Sequence, residues 1–300
     1  MENTTSCASP ETRAVKLNET REKKSVNVFQ IVLFVLLSLW TVSMVYCLFW
    51  LLNNSLKDQL EFEFDQVSFA LHPLKNAKNY LLVFTDFNIK NTNMFGMLWN
   101  TVWVTTGNIV LQVSSSVLFS YIVARYKFPG RNVIYTTIIV RMMLPIVGSL
   151  AATYKMYDAL HMTNSPLILI SNLSGTANFL IYYAACKGLS ASYAEAAYID
   201  GATHIQVFFK VMLPQLSGII TATVITSFIA NWNEYMTFVL YLDRYPSLAT
   251  ALYFYDLSKA DENYPLLLAA VTLSIVPVVV VFAAFQKYFI NIDISGGMKG

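Results

Sequence analysis

The chain has 300 residues, 56% of them hydrophobic and 13% charged, with a net charge of +2. A soluble domain carries roughly 25% charged residues, so the composition argues against a soluble enzyme, and near-neutral charge without a dense basic run excludes nucleic acid as a partner. Cys7, Cys47 and Cys186 are too scattered for a disulfide framework or a metal centre.

Residues 1–27 form a polar tail holding Arg13, Lys16, Arg21, Lys23 and Lys24. The uncharged run 25–56 is too long for a signal-peptide core and is followed by no small-residue cleavage site, so it reads as a retained membrane span. Residues 53–93 (LEFEFDQVSFALHPLKNAKNYLLVF within them) are too apolar for a disordered linker and are expected to fold as a small cap over the outer mouth. Further uncharged runs occupy 91–124, 159–186, 211–233 and 263–286, and 132–154 is broken only by Arg141. Each exceeds the roughly 20 residues that cross a bilayer as a helix. The fold class is therefore all-α and polytopic, with six transmembrane helices near 28–52, 94–124, 133–155, 166–186, 216–242 and 265–287. With the N-terminus inside, the inner segments hold twelve Lys and Arg against seven in the outer ones, which satisfies the positive-inside rule. Both termini and the polar loop 190–214 then lie in the cytoplasm. The domains are a tail 1–27, a first span with its outer loop 28–93, a core 94–290 containing loop 190–214, and a tail 291–300.

At the inner end of the second span, Ala124 to Arg131 reads ARYKFPGR, a Pro-Gly turn among cations. Arg141, four residues before Pro145, and Glu234, beside Asn231, Trp232 and Asn233, are ionisable groups inside spans and so functional candidates. Two readings stay open for them. Arg141 pairs with Glu234, or with carbonyls freed by Pro145; or both line a pathway in which Asn231, Asn233 and Glu234 supply donors and acceptors and Trp232 supplies a ring face. The outer segment Asp243–Tyr264 carries Tyr245, Tyr253, Phe254, Tyr255 and Tyr264, either as an interfacial aromatic belt or as a docking loop. Pro277 marks a kink in the last span.

Loop 190–214 is the most informative stretch. From Ser192 it reads SYAEAAYIDGATHIQVFFKVMLP. Ser192 with Glu195, and Thr203 with Gln206, have the spacing of a capping box, which predicts two helix starts. Asp200-Gly201-Ala202 between them supplies the turn. Ala196 and Ala197 are good helix formers with almost no side chain, so another backbone can approach closely.

This spacing, Glu195-Ala196-Ala197 then Gly201 then Val211-Met212-Leu213-Pro214, resembles the EAA loop of ABC importer permeases, with Val211 where that family more often has Ile. ARYKFPGR, Trp232-Asn233-Glu234 and the ending Ser295-Gly296-Gly297-Met298-Lys299-Gly300 are similar to elements of the oligosaccharide-uptake branch, the last to maltose-type second permeases. The resemblance spans about 94–300 and implies the type I ABC importer permease fold. It implies that the chain is no enzyme and carries no cofactor, ATP and Mg residing on partner ATPases. It makes Glu195, Ala196, Ala197, Gly201, Val211 and Pro214 the coupling surface, with Glu195 paired to an ATPase arginine. The implied partners are a second permease subunit in a heterodimer, two ATPase subunits, an extracytoplasmic solute-binding protein and membrane lipid, in a bacterial cell membrane. The implied function is translocation of a sugar or oligosaccharide by alternating access. One position departs from the pattern: Ser190 stands where the family usually has proline. A permease for a polyamine or an osmolyte is the alternative. An intramembrane hydrolase would need a nucleophile and a base in the bilayer, yet no Gly-x-Ser-x-Gly is present and His72, His161 and His204 all fall outside the spans. A channel or secondary transporter would leave the loop spacing unexplained.

Overall fold

The computed structural model describes residues 28–144, 148–174, 176, 178–258 and 263–290. Among them every regular element is helical. The tails 1–27 and 291–300, with the Gly-Gly-Met-Lys-Gly ending, lie outside the described residues, as do Pro145 and 259–262. The chain divides into two compact units, up to Phe49 and from Trp50 onward.

The first unit is most of α1 (Val28–Ser55), a helix apolar on every side, which is the composition of a membrane span. The second unit begins with its last turn. There Asn53 donates to the Ser68 carbonyl at 2.7 Å and accepts from the Ala70 N–H at 3.0 Å, so the following loop folds back onto the helix end. That loop forms α2 (Gln59–Phe64), α3 (Pro73–Asn76) and α4 (Lys78–Thr85). Asn79 donates to the carbonyls of Ser55 and Lys57, both at 3.0 Å, and buried Lys57 donates to the Asp65 carbonyl at 2.7 Å. The segment 53–93 is folded and not a disordered linker, as its apolar content predicts.

α5 (Met94–Arg125) is the spine of the second unit. Asn93 caps it by accepting from the Gly96 N–H at 2.9 Å. Of the six expected spans, α1, α5 and α15 (Tyr264–Ile290, with Pro277 inside) run through as single helices. The other three are interrupted. The third divides into α6 (Arg131–Met143) and α7 (Leu150–Ala159), separated by a segment containing Pro145 and Gly148, the latter at φ +80°. The fourth begins as a nine-residue 3-10 helix, Pro166–Ser174, and resumes as α8 (Phe179–Gly188) after Asn178 in a left-handed conformation. 3-10 runs this long are uncommon and often mark a hinge or strain. The fifth runs as α12 (Ser217–Trp232), breaks, and resumes as α13 (Met236–Tyr241). Broken helices are tolerated at membrane depth where protein or a polar cavity satisfies the freed backbone.

α5 packs against α8, the 3-10 helix and α12, and α15 packs on α12 and α4. The segment after Tyr241 folds in through α14 (Leu248–Ser258). Leu248, Ala251 and Tyr255 are buried, Tyr255 stacks on Phe87 at 4.7 Å, and Tyr245 meets Trp103 edge-on at 6.2 Å. These aromatic residues pack inside the protein, and Lys90 pairs with Asp243 beside them.

Candidate functional site

The polar loop is a helix-turn-helix. Its first arm, α9 (Ala191–Ile199), begins at Ser190, whose hydroxyl accepts from the Ser192 N–H at 3.3 Å. The cap is therefore Ser190 and not Ser192, which lies two residues further in, within the first helical turn. The backbone at Ser190 has φ −60° and ψ 138°, the conformation proline would also impose. The arm closes through a Schellman turn. The Ala202 N–H donates to the Ala197 carbonyl and the Gly201 N–H to the Tyr198 carbonyl, each at 3.0 Å, with Gly201 at φ +81°.

Thr203 starts the second arm with a true capping box: its hydroxyl accepts from the Gln206 N–H, and its own N–H donates to Gln206 Oε1 at 2.9 Å. The arm comprises α10 (His204–Gln206), a π-helical turn Val207–Met212 and α11 (Leu213–Gln215). In the wide turn the Leu213 N–H reaches back five residues to Phe208, and Pro214 follows without an N–H. The arm meets α12 at 73°.

The loop is bolted to the C-terminal ends of α5 and α8. Val207, Phe208, Met212 and Leu216 are buried against Val117 and Tyr121 of α5 and Tyr182 and Cys186 of α8. Arg125, at the end of α5, donates to the Leu189 carbonyl at 2.6 Å, just ahead of α9. His204 sits between two tyrosines, with Tyr198 Oη 2.8 Å and Tyr126 Oη 3.4 Å from its Nδ1. Partial burial pushes both tyrosine hydroxyls above the usual tyrosine range, so they stay protonated at neutral pH. On the outward face Glu195, Ala196 and Pro214 are exposed, whereas Ala197 and Val211 are half-buried under the turn. Ile199 (86% exposed) and Ile205 (71%) extend that face. In the sequence the signal of these two, neither of them among the candidates above, is an isolated apolar residue at each side of a polar turn.

The second feature lies between α5, α7, the 3-10 helix and the break that separates α12 from α13. A cavity of about 240 Å³ is lined by Asn108 of α5, Tyr157 of α7, Asn172 of the 3-10 helix, Asn231 and Glu234 at the end of α12, and Tyr241 of α13, among others. Three carboxamides run head to tail across it. Asn172 donates to Asn108 at 2.8 Å, Asn108 to Asn231 at 2.9 Å, and Asn231 to the Ser227 carbonyl at 2.8 Å. The Glu234 carboxylate accepts from the Thr237 N–H at 2.9 Å and so caps the resumed helix. Tyr157 and Tyr241 meet edge-on at 5.1 Å.

The other sequence candidates fall elsewhere. Trp232 is 4% exposed, stacks on Phe228 at 5.3 Å and donates its indole N–H to the Ser274 carbonyl of α15 at 3.1 Å; it does not line the cavity. Asn233 is exposed and donates to the Ile229 carbonyl. Arg141 is exposed in the last turn of α6 and forms no pair with Glu234. Among the described residues no cluster of His, Cys, Asp and Glu could hold a metal ion.

Residues 116–291 match the family described as binding-protein-dependent transport system inner membrane component. The chain is 31% identical over 230 residues to the arabinooligosaccharides transport system permease protein AraQ of Halalkalibacterium halodurans, covering 74% of this chain and 79% of the relative. It is 28% identical to AraQ of Bacillus subtilis over 287 residues, 93% of this chain and 99% of that one. Among solved structures it shares its fold with a chain of a bacterial ABC transporter involved in import of the acidic polysaccharide alginate: TM-score 0.71, 21% identity, 89% of this chain and 98% of that chain covered.

Proposed function

We propose, on the premise that this chain belongs to the inner membrane components of binding-protein-dependent transport systems, that it is the sugar- or oligosaccharide-translocating permease subunit of an ABC importer. One observation carries this reading: a rigid helix-turn-helix, closed by the Gly201 turn and fixed to α5 by Arg125, that leaves Ala196, Pro214 and the Glu195 carboxylate exposed. Such an element suits a surface that moves as a body when a partner pushes it. On this reading two ATPase subunits, which bind ATP and Mg, press on the loop from the cytoplasm. Glu195 pairs with an ATPase arginine, Gly201 holds the turn, and Ala196, Ala197, Val211 and Pro214 shape the seat. A single exposed ion pair stabilises by only about 0–1 kcal/mol, so shape and the apolar side chains Ile199 and Ile205 supply most of the grip.

The transported solute passes the cavity beside the α12–α13 break, with Asn231 and Glu234 in contact with it. A discontinuous helix beside a polar cavity is the usual architecture of a transporter site, and the carboxamide ladder offers donors and acceptors to hydroxyls. Asn233 and Arg141, exposed in the single chain, are assigned to the side facing a second permease subunit. Sugar as the solute class is supported by the names of the relatives, arabinooligosaccharide permeases among them. The complete importer has that second permease, a solute-binding protein outside, and both termini of this chain in the cytoplasm of a bacterial cell.

Glu195→Gln and Glu195→Lys test the seat. If Glu195 faces a cation, Gln weakens uptake modestly, whereas Lys costs far more by placing like charges opposite each other. An Arg→Glu change on the ATPase then restores part of the uptake of the Lys variant. Equal, near wild-type uptake and ATPase retention for both variants would remove the carboxylate from the contact.

A further inference from the structure

We infer that the cavity beside the α12–α13 break accepts uncharged sugar units and turns away acidic ones; this refines, and rests on, the reading of the chain as a sugar permease. Each carboxamide of Asn108, Asn172 and Asn231 has two N–H donors and one carbonyl acceptor with two lone pairs. The ladder uses one N–H of each. Every rung therefore keeps an N–H and a lone pair, the combination that matches a hydroxyl, itself both donor and acceptor. Tyr157 and Tyr241 add ring surface for the apolar face of a pyranose or furanose.

The cavity's charge is one-sided. Among the described residues no Lys, Arg or His lines it, and the one ionisable carboxyl group in the lining is that of Glu234. Arg141, the cation of the third span, is exposed on α6 and does not reach the lining. A uronate or sulfonate entering here would lose its water, find no cation, and meet a carboxylate. Burying an unpaired charge is costly, and a like charge beside it adds repulsion. Carboxamides hold a neutral hydroxyl without such a cost. The names of the similar proteins span both classes, arabinooligosaccharides on one side and acidic alginate on the other, so the lining of the cavity, and not kinship, distinguishes them.

The test uses the purified permease–ATPase complex in lipid nanodiscs without the solute-binding protein, so that discrimination by that protein does not enter. Saturation-transfer NMR titrations compare methyl glucoside with methyl glucuronoside, and methyl galactoside with methyl galacturonoside. Each neutral member should bind roughly tenfold more tightly or better than its acidic partner. Asn108→Leu should abolish the neutral signal, with Asn172→Ala as the second variant should the first fail to retain its ATPase. Glu234→Gln should narrow the gap between the members of each pair. Equal or tighter binding of the acidic sugars overturns the inference and leaves the sugar reading standing. Absence of binding by either class, in a complex that still takes up a neutral oligosaccharide in proteoliposomes with its binding protein, overturns it as well. Uptake of a polyamine or an osmolyte with no sugar of either class bound or carried would instead bring down the proposed function itself.

Discussion

Replacing Gly201 separates two reasons for a glycine, space and backbone angle. A Cβ built at this position meets no atom within 4 Å, so room is not the constraint. The φ of +81° is, because L-residues pay roughly 1–2 kcal/mol to sit in the left-handed region, β-branched ones more, and Asn least. One to two kcal/mol is a factor of about 5–30 in a two-state equilibrium. The Schellman bond from the Ala202 N–H to the Ala197 carbonyl reports that equilibrium directly. Amide exchange at Ala202 in the purified complex should accelerate by up to about that factor in Gly201→Ala, more in Gly201→Val and least in Gly201→Asn. Uptake per ATP hydrolysed should fall in the same order, while membrane insertion and ATPase retention hold. Identical exchange in the Asn and Val variants, or a drop in uptake with unchanged exchange, would refute the conformational account.

Ser190→Pro should be tolerated. Ser190 has φ −60°, and Leu189 before it has φ −68° and ψ 139°, the extended conformation that precedes proline. Stiffening gains roughly 0.4–1 kcal/mol while loss of the long cap bond costs a similar amount, so the thermal midpoint and uptake of the complex should barely change. Asp65 predicts a local acid response. Its carboxylate accepts from the N–H groups of Val67 and, less closely, Ser68, which hold it below the usual carboxylate range. A depressed folded-state pKa means the stabilisation is complete above the ordinary value of about 3.9 and disappears as pH falls through the lowered one. Exchange at Val67 and Ser68, corrected for intrinsic rate, should rise over that window and become pH-independent in Asp65→Asn.

The spans that hydropathy located best are those whose backbone never leaves the helix, α1, α5 and α15. Where it counted 133–155, 166–186 and 216–242 as continuous, the chain breaks at Gly148, Asn178 and Asn233. Apolar composition carries no information about φ and ψ, and a left-handed Asn reads in the sequence as one polar residue among many. The same blindness hid Asn108 and Asn172. Each lies in an uncharged run, and its meaning depends on a partner 64 positions away along the chain. Amides within a span are a usable signal, since membrane interiors favour polar side chains that find one another. The loop was legible because its turn, caps and small residues are local, although register slipped by two at the first cap, where Ser190 and Ser192 offer the same hydroxyl. Trp232 was read for its ring, and it is the indole N–H, donated to α15, that fixes where the ring goes.

His204 touches Tyr198 within its own loop and Tyr126 some 78 positions earlier. The loop is thus not a portable cassette. A chimera that exchanges 190–214 with a relative separates His204 from Tyr126, which stays behind in the recipient facing a foreign second arm. Grafts of this segment should carry the C-terminal end of α5 with them, and two such loops of identical spacing can still fail to substitute for each other because each is tuned to a different floor.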